Sequence, residues 1–96
     1  MDINSIPDIF QSKLRIAIAT CLLSGTKTFK ELKALTSASD GNISVQVKKL
    51  KEAGYVNVEK DYFNNKPRTR YSLTTFGKEE FESYVNTLES IIRANL

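Results

Sequence analysis

The side chains best suited to bind a partner lie on one short predicted helix near the middle of the chain. Asparagine and glutamine amides can pair bidentately with adenine, serine hydroxyls can contact several base edges, and a valine methyl can meet the thymine methyl. Lysine side chains can neutralise phosphates. The candidate contact residues on this helix are Ser39, Asn42, Ser44, Val45, Gln46, Lys48 and Lys49. In the plainer alternative they are cap and solvent-exposed residues, and Ser39 is expected to act first as a helix cap.

A second set of candidates lies on a predicted β-hairpin, whose tip is placed at residues 64–68: Lys66, Arg68 and Arg70. Arg70 could simply pair with Glu59 across the hairpin, whereas no obvious acidic partner is predicted for Lys66 and Arg68. These two residues are therefore the strongest phosphate-binding candidates. Cations elsewhere are expected to be mainly solvated surface charges: Lys13, Arg15, Lys27, Lys30 and Lys33.

The composition argues against an enzyme or a metalloprotein. The chain has no histidine, which removes the usual transition-metal ligand and most acid–base and nucleophilic catalytic sets. Its one cysteine, Cys21, falls on an apolar helix face and is expected to pack as a small hydrophobic residue. No glycine-rich phosphate loop is present. We therefore predict no catalytic residues, no metal and no cofactor.

Length and charge set further limits. Ninety-six residues predict one domain, 1–96, and no apolar run approaches the ~20 residues that a membrane span requires. The N-terminus lacks the pattern of a secretory signal, so a cytoplasmic protein is the simplest expectation. Residues 40–73 carry seven cations and four anions, a net charge of +3. Residues 74–96 carry two cations and four anions, a net charge of −2, so the basic charge lies upstream of the C-terminal segment.

Apolar residues at helical spacing, together with one alternating segment, predict a mostly helical α+β fold with a small β-hairpin. We expect an N-terminal helix at about 7–23, a helix-turn-helix at about 28–54, a two-stranded hairpin at about 55–73 and a C-terminal helix at about 74–94. Thr28 and Glu31 have the spacing of a capping box at the start of the second helix. The apolar stripe of the third helix consists of Ile43, Val47 and Leu50.

The C-terminal helix is predicted to be longer than the core of such a small domain can cover. About twenty residues make a helix of about 30 Å, and its apolar stripe continues nearly to the end. Exposed apolar stripes usually mark an interface. We therefore expect a homodimer whose interface contains Ile6, Ile9, Phe10, Tyr84, Leu88, Ile91 and Ile92.

Two segments carry a resemblance to a known family: Leu-Lys-Glu-Ala-Gly-Tyr-Val at 50–56 and Tyr-Ser-Leu-Thr-Thr-Phe-Gly at 71–77. With the preceding helix, they resemble winged helix-turn-helix transcriptional regulators of the MarR/ArsR type, close to the small single-domain group. The resemblance covers about residues 8–90. It implies a homodimer with two recognition helices in successive major grooves and hairpin wings on the flanking backbone and minor groove, with half-sites ~34 Å apart. Relatives often carry a long basic or polar residue at the position of Val45.

The predicted function is therefore a sequence-specific, double-stranded-DNA-binding transcriptional regulator. The alternative is a winged-helix adaptor that binds another protein and has little affinity for DNA. A net charge of only +3 and an exposed Val45 are compatible with that alternative. An unknown small-molecule effector is compatible with the resembled family, and the sequence names no ligand.

Overall fold

The computed structural model describes residues 3–96, so residues 1 and 2 of the predicted domain lie outside the described residues. The described chain begins with two 3-10 turns, Ile3–Ser5 and Asp8–Gln11. The helices and strands follow in the order α1 (Lys13–Leu22), β1 (Lys27–Thr28), α2 (Phe29–Thr36), α3 (Asp40–Glu52), β2 (Val56–Phe63), β3 (Lys66–Leu73) and α4 (Thr75–Ala94). The predicted mostly helical α+β fold is confirmed.

The prediction of one unbroken helix at 7–23 is wrong. Ser12 adopts an extended conformation, with φ −110° and ψ 124°, between the 3-10 turn and α1. Its hydroxyl accepts a hydrogen bond from the backbone N–H of Arg15, so Ser12 caps α1. The apolar spacing continues across this break because Ile9 and Phe10 before it pack against the same core as Leu14 after it.

The sheet has three antiparallel strands in the order β1–β3–β2. The sequence predicted only the two strands of the hairpin, but Lys27 and Thr28 form a further strand that pairs with Tyr71 and Arg70 of β3. Because β1 runs directly into α2, this pairing ties the start of the helix-turn-helix to the hairpin.

The hairpin of β2 and β3, called the wing below, covers the predicted range, but its tip is shorter than predicted. Its tip is the two-residue turn Asn64–Asn65, in which both residues have positive φ values of 52° and 63°. The expectation that Pro67 lies in the loop is wrong, since it pairs with Tyr62 inside the sheet. β1 pairs only with Arg70 and Tyr71, so at Pro67 the side of β3 that faces away from β2 has no partner strand within the described residues. Proline, which has no backbone N–H to donate, is tolerated at such an edge.

The core lies where α1, α2 and α3 meet. Ile43 and Leu50 of α3 have no exposed surface, and Val47 is 6% exposed, which confirms the predicted apolar stripe. Ile18 of α1 and Leu32 of α2 are also completely buried. The packing of these side chains holds α3 in one rotational orientation about its axis.

A group of aromatic rings connects the N-terminal turn to α4. The ring centroid of Phe10 lies 4.8 Å from that of Tyr84 in a stacked arrangement, 5.5 Å from Tyr55 and 5.7 Å from Phe81. Offset or tilted pairs at these distances are favourable. The group therefore joins the segment before α1, the start of the wing and the first half of α4.

The first turn of α4 is held against the backbone that follows α3. Thr74 caps α4 by accepting a hydrogen bond from the Gly77 N–H at 2.8 Å, and its own hydroxyl donates to the Gly54 carbonyl at 2.7 Å. A Cβ on Gly77 would overlap the Tyr55 carbonyl oxygen and lie 2.7 Å from the Tyr55 Cα. Only glycine therefore fits at position 77 without moving one backbone segment away from the other.

We expect Gly77→Ala to lower the free energy of unfolding by about 2–3 kcal/mol and the melting temperature by roughly 10–20 °C, because backbone must move to admit the methyl group. The matched control is Gly41→Ala in α3, where an added Cβ meets nothing within 4 Å. This control variant should have the same free energy of unfolding as the unsubstituted protein, or one higher by up to ~1 kcal/mol. Thermal denaturation followed by circular dichroism measures both, and equal melting temperatures would contradict the close approach at Gly77.

Candidate nucleic-acid interface

One face of α3 is buried and the opposite face is uncovered. The predicted contact residues that lie exposed on it are Asn42, Ser44, Val45, Lys48 and Lys49. Val45 is 49% exposed, so its methyl groups are available at this surface. The structure thus brings together amide, hydroxyl, apolar and cationic groups on one surface, called the α3 face below.

Ser39 lies at the N-terminal end of the α3 face and has the structural role expected of it. Its hydroxyl accepts a hydrogen bond from the Asn42 N–H at 3.2 Å, so it is the N-cap of α3. Asp40, in the first turn, pairs with Lys33 of α2 at 2.8 Å. The α3 start is therefore held by a cap and by an ion pair to the preceding helix.

Gln46 differs from the other predicted contact residues because it is half-buried and already has a partner. The Arg15 guanidinium donates a hydrogen bond from Nη1 to Gln46 Oε1 at 2.7 Å. Arg15 was expected to be a solvated surface charge, yet it is half-buried and links α1 to α3. No local sequence signal predicts this contact, since the two residues are 31 positions apart.

The wing does not present its arginines as predicted. Arg68 makes a bidentate pair with Asp61, with Nε–Oδ1 and Nη2–Oδ2 distances of 3.0 and 2.9 Å, so the expectation that it lacks an acidic partner is wrong. The reason is the strand register, which places Asp61 directly opposite Arg68 and Glu59 opposite Arg70. Arg70 pairs with Glu59 at 3.1 Å, as in the plainer alternative, and also with Asp61 at 3.0 Å.

The Asp61 carboxylate is therefore stabilised in its charged form. Hydrogen bonds from Arg68 hold the pKa of Asp61 below its ordinary value of 3.8, and the positive charges of Arg68 and Arg70 add to the effect. The same pairing raises the pKa of Arg68 above its ordinary value. The charges of the two arginines are largely balanced within the wing by Asp61 and Glu59.

Lys66, like Lys60 of β2, is an exposed wing cation without an ion pair in the described part of the chain. It lines a cleft of about 610 Å³ between the first turn of α2 and the wing tip. Lys30 and Arg68 also line the cleft, together with the rings of Phe29 and Phe63. The cleft walls thus combine three cations with apolar surface.

The predicted dimer residues separate into three groups. Leu88 and Ile92 are exposed, at 41% and 51%; Val85 extends the same apolar stripe of α4, and the exposed Leu96 follows just after the end of the helix. Ile6, Ile9, Tyr84 and Ile91 are half-buried, whereas Phe10 is 4% exposed and belongs to the core of its own protomer. The exposed stripe was predicted correctly, and the dimer itself stays a prediction.

Within the described residues, no helix is long and apolar enough to cross a membrane. The same part of the chain contains no group of three or more cysteine, aspartate and glutamate side chains that could hold a metal ion.

The ion pair between Asp61 and Arg68 should make stability depend on pH. Because the pKa of Asp61 is lowered in the folded state, its contribution is complete above the ordinary value of 3.8 and is lost as pH falls through the lowered value. We therefore expect Asp61→Asn to melt below the unsubstituted protein at pH 6 and to differ less from it at pH 2–3. Glu59→Gln, which removes a more exposed partner, is the control and should have the smaller effect. A difference in melting temperature that stays constant between pH 6 and pH 2 would contradict this assignment.

Comparison with known proteins agrees with this architecture. The model of the family described as the winged helix DNA-binding domain matches residues 14–92. An uncharacterized protein of Methanocaldococcus jannaschii is 33% identical to this chain over 79 residues, which are 80% of this chain and 85% of that protein.

Solved structures share the fold at lower identity. A protein assigned to the MarR family of transcriptional regulators, from Enterococcus faecalis, superposes with a TM-score of 0.80 at 20% identity, over 98% of this chain and 90% of that one. PadR of Bacillus subtilis, solved in complex with operator DNA, gives a TM-score of 0.71 at 21% identity, over 78% of this chain and 46% of that one. The resemblance to winged-helix regulators seen in the sequence is confirmed. The chain belongs to the winged helix DNA-binding domain family.

Proposed function

We propose that the protein is a homodimeric transcriptional regulator that binds specific sites on double-stranded DNA. The observation that carries the proposal is the uncovered α3 face, which presents Asn42, Lys48 and Lys49 on a helix whose other side is completely buried. The cytoplasmic location expected from the sequence is part of the same proposal. The operator complex of PadR gives the partner class for this fold, and we extend it to this chain.

The dimensions of α3 suit the major groove. That groove is about 12 Å wide and admits an α-helix with its side chains. In helix-turn-helix proteins the N-terminal residues of the recognition helix contact base edges. Asn42, Ser44 and Val45 occupy this part of α3, and Val45 offers its methyl groups to thymine. Lys48 and Lys49, further along, are placed to neutralise phosphates.

The wing and the first turn of α2 supply a second contact with the DNA backbone in this proposal. Lys66 and Lys30 lie on opposite walls of the cleft between them, so an anionic strand along the cleft would meet cations on both sides. Arg68 and Arg70 contribute less than their number suggests, because Asp61 and Glu59 already balance their charges. Of the two wing cations that line the cleft, Lys66 and Arg68, Lys66 is therefore the one whose loss should weaken binding without breaking an ion pair.

The apolar stripe on α4 supports the homodimer. Val85, Leu88 and Ile92 are exposed at steps of three and four residues on a helix of 20 residues, which is the pattern of a helix that packs against another. A second copy of α4 would cover the stripe and place two α3 faces on one side of the dimer. Two half-sites about one helical turn apart are then expected in the DNA.

The alternative, an adaptor that binds another protein, is favoured by one observation. Tyr62 and Phe63 near the wing tip are 76% and 58% exposed, and Val45 adds apolar surface on α3. Exposed aromatic side chains are enriched at protein interfaces. The adaptor predicts little affinity for duplex DNA even at low salt, which separates it from the regulator.

Fluorescence anisotropy with duplex DNA from the protein's own upstream region, and with a scrambled duplex, tests the regulator directly. We expect tighter binding to the native duplex and an affinity that falls steeply with salt. Lys48→Glu should weaken binding to both duplexes and lower the salt slope by at least about 1, because one phosphate contact is lost. Lys78→Glu on α4, which makes the same change of charge outside the α3 face and the wing, is the control. Equal affinities and salt slopes for the two variants would refute the docking geometry.

The dimer has a separate test. Ile92→Glu should shift the protein from dimer to monomer in sedimentation velocity and reduce affinity for a two-half-site duplex at least about tenfold, because linked sites no longer act together. Ser90→Glu adds the same charge two residues away on the opposite side of α4 and should change neither property. A dimer that persists in Ile92→Glu would show that α4 is not the interface.

A further inference from the structure

Arg15 is held at both edges of its guanidinium group. Its Nε donates to the carbonyl of Ile9 at 2.6 Å, and its Nη1 donates to Gln46 Oε1 at 2.7 Å. The backbone of the same residue is fixed by the Ser12 cap at the start of α1. The guanidinium therefore links the segment before α1 to the middle of α3 through two hydrogen bonds.

The hydrogen bond from Arg15 determines which atom of the Gln46 carboxamide, the oxygen or the nitrogen, faces the guanidinium. A guanidinium group has only hydrogen-bond donors, so the atom of Gln46 that faces it must be the carbonyl oxygen. The amino group of Gln46 makes no hydrogen bond with any residue in the range 3–96. The side chain therefore has its acceptor occupied and its donor free.

The occupied acceptor changes what Gln46 could recognise in DNA. Bidentate pairing with adenine needs both atoms, since the oxygen accepts from the adenine amino group while the nitrogen donates to N7. The oxygen retains a second lone pair, but an adenine amino group approaching it would meet the N–H groups of Arg15, which are also donors. A free amino group can still donate to guanine O6 and N7, or to thymine O4, whereas adenine offers it only N7 as an acceptor, next to an N6 amino group that is itself a donor.

We infer that Arg15 is a specificity-determining positioning residue, which holds Gln46 so that its amino group is presented to base acceptors and bidentate adenine is disfavoured. The inference rests on the proposed function and names the base preference of one residue within it. Arg15 acts through Gln46, while its own charge adds to the general attraction for DNA. Removing the guanidinium should therefore change the preference at one base pair in each half-site and leave the preferences elsewhere unchanged.

The test is a binding selection on randomised duplexes, followed by anisotropy on the selected duplex with each base pair changed in turn. Arg15→Met removes the guanidinium but keeps an apolar stem, and Arg15→Lys keeps the charge but loses the planar group that grips two acceptors. Lys13→Met, which removes an exposed cation from the same helix, is the matched control. Gln46→Ala identifies the base pair that Gln46 contacts.

At that base pair the unsubstituted protein and Lys13→Met should reject adenine about tenfold or more, a ratio typical of one specific contact. Arg15→Met should accept adenine to within about threefold of the preferred base, because the carboxamide can now use both atoms. Arg15→Lys should lie between Arg15→Met and the unsubstituted protein, because an ammonium group can still donate to one acceptor but cannot hold two. The double variant Arg15→Met with Gln46→Ala should match Gln46→Ala alone in base preference. In NMR spectra of the free protein, the Gln46 side-chain amide signals should shift in Arg15→Lys, a readout that does not require DNA.

Three outcomes would overturn the inference. The Arg15 variants could lower the affinity for all duplexes equally with the base preference intact, which would make Arg15 a phosphate contact only. The effects of Arg15→Met and Gln46→Ala on base preference could add independently, or the unsubstituted protein could prefer adenine at the Gln46 position. Failure of the unsubstituted protein to bind any duplex is a separate result, which would overturn the proposed function together with the inference.

Discussion

Burial of the apolar stripe on α3 is the constraint on which the rest of the structure depends. A helix of 13 residues is marginal in water by itself, so its stability comes from packing. Ile43 and Leu50 lose all exposure against the core that contains Ile18 and Leu32, and this contact leaves α3 one orientation. The polar and cationic residues on the other side are thereby turned outward together. The wing and α4 are attached to this arrangement through the aromatic group around Phe10 and the close approach at Gly77.

Much of the fold could be predicted because the signals are local. Thr28, Ser39 and Thr74 each cap the helix that follows, and a cap is determined by a side chain and a backbone N–H three residues apart. The buried stripe of α3 follows from helical periodicity, which depends only on residue spacing. The length of α4 and its exposed apolar side were readable for the same reason. Most of the α3 face could therefore be named from the sequence.

The features that could not be predicted depend on contacts between distant residues. The break at Ser12 was missed because the apolar spacing continues across it. The pairing of Asp61 with both Arg68 and Arg70 follows from strand register, which is set by the two-residue turn and is shifted if the turn is assumed to be longer. The link from Arg15 to Gln46 joins two helices and has no periodicity or motif that would reveal it. At the candidate site, the sequence thus indicated which residues are present but not which of them are already paired.

The central claim is that the α3 face meets the major groove of duplex DNA. An NMR titration of the ¹⁵N-labelled protein with a duplex that it binds measures this most directly, because each backbone amide reports its own surroundings. The account predicts that the largest shifts fall on residues 39–49 of α3 and around Lys66 in the wing, with α4 little affected. Shifts confined to the wing tip and α4, with α3 unchanged at saturating DNA, would contradict it.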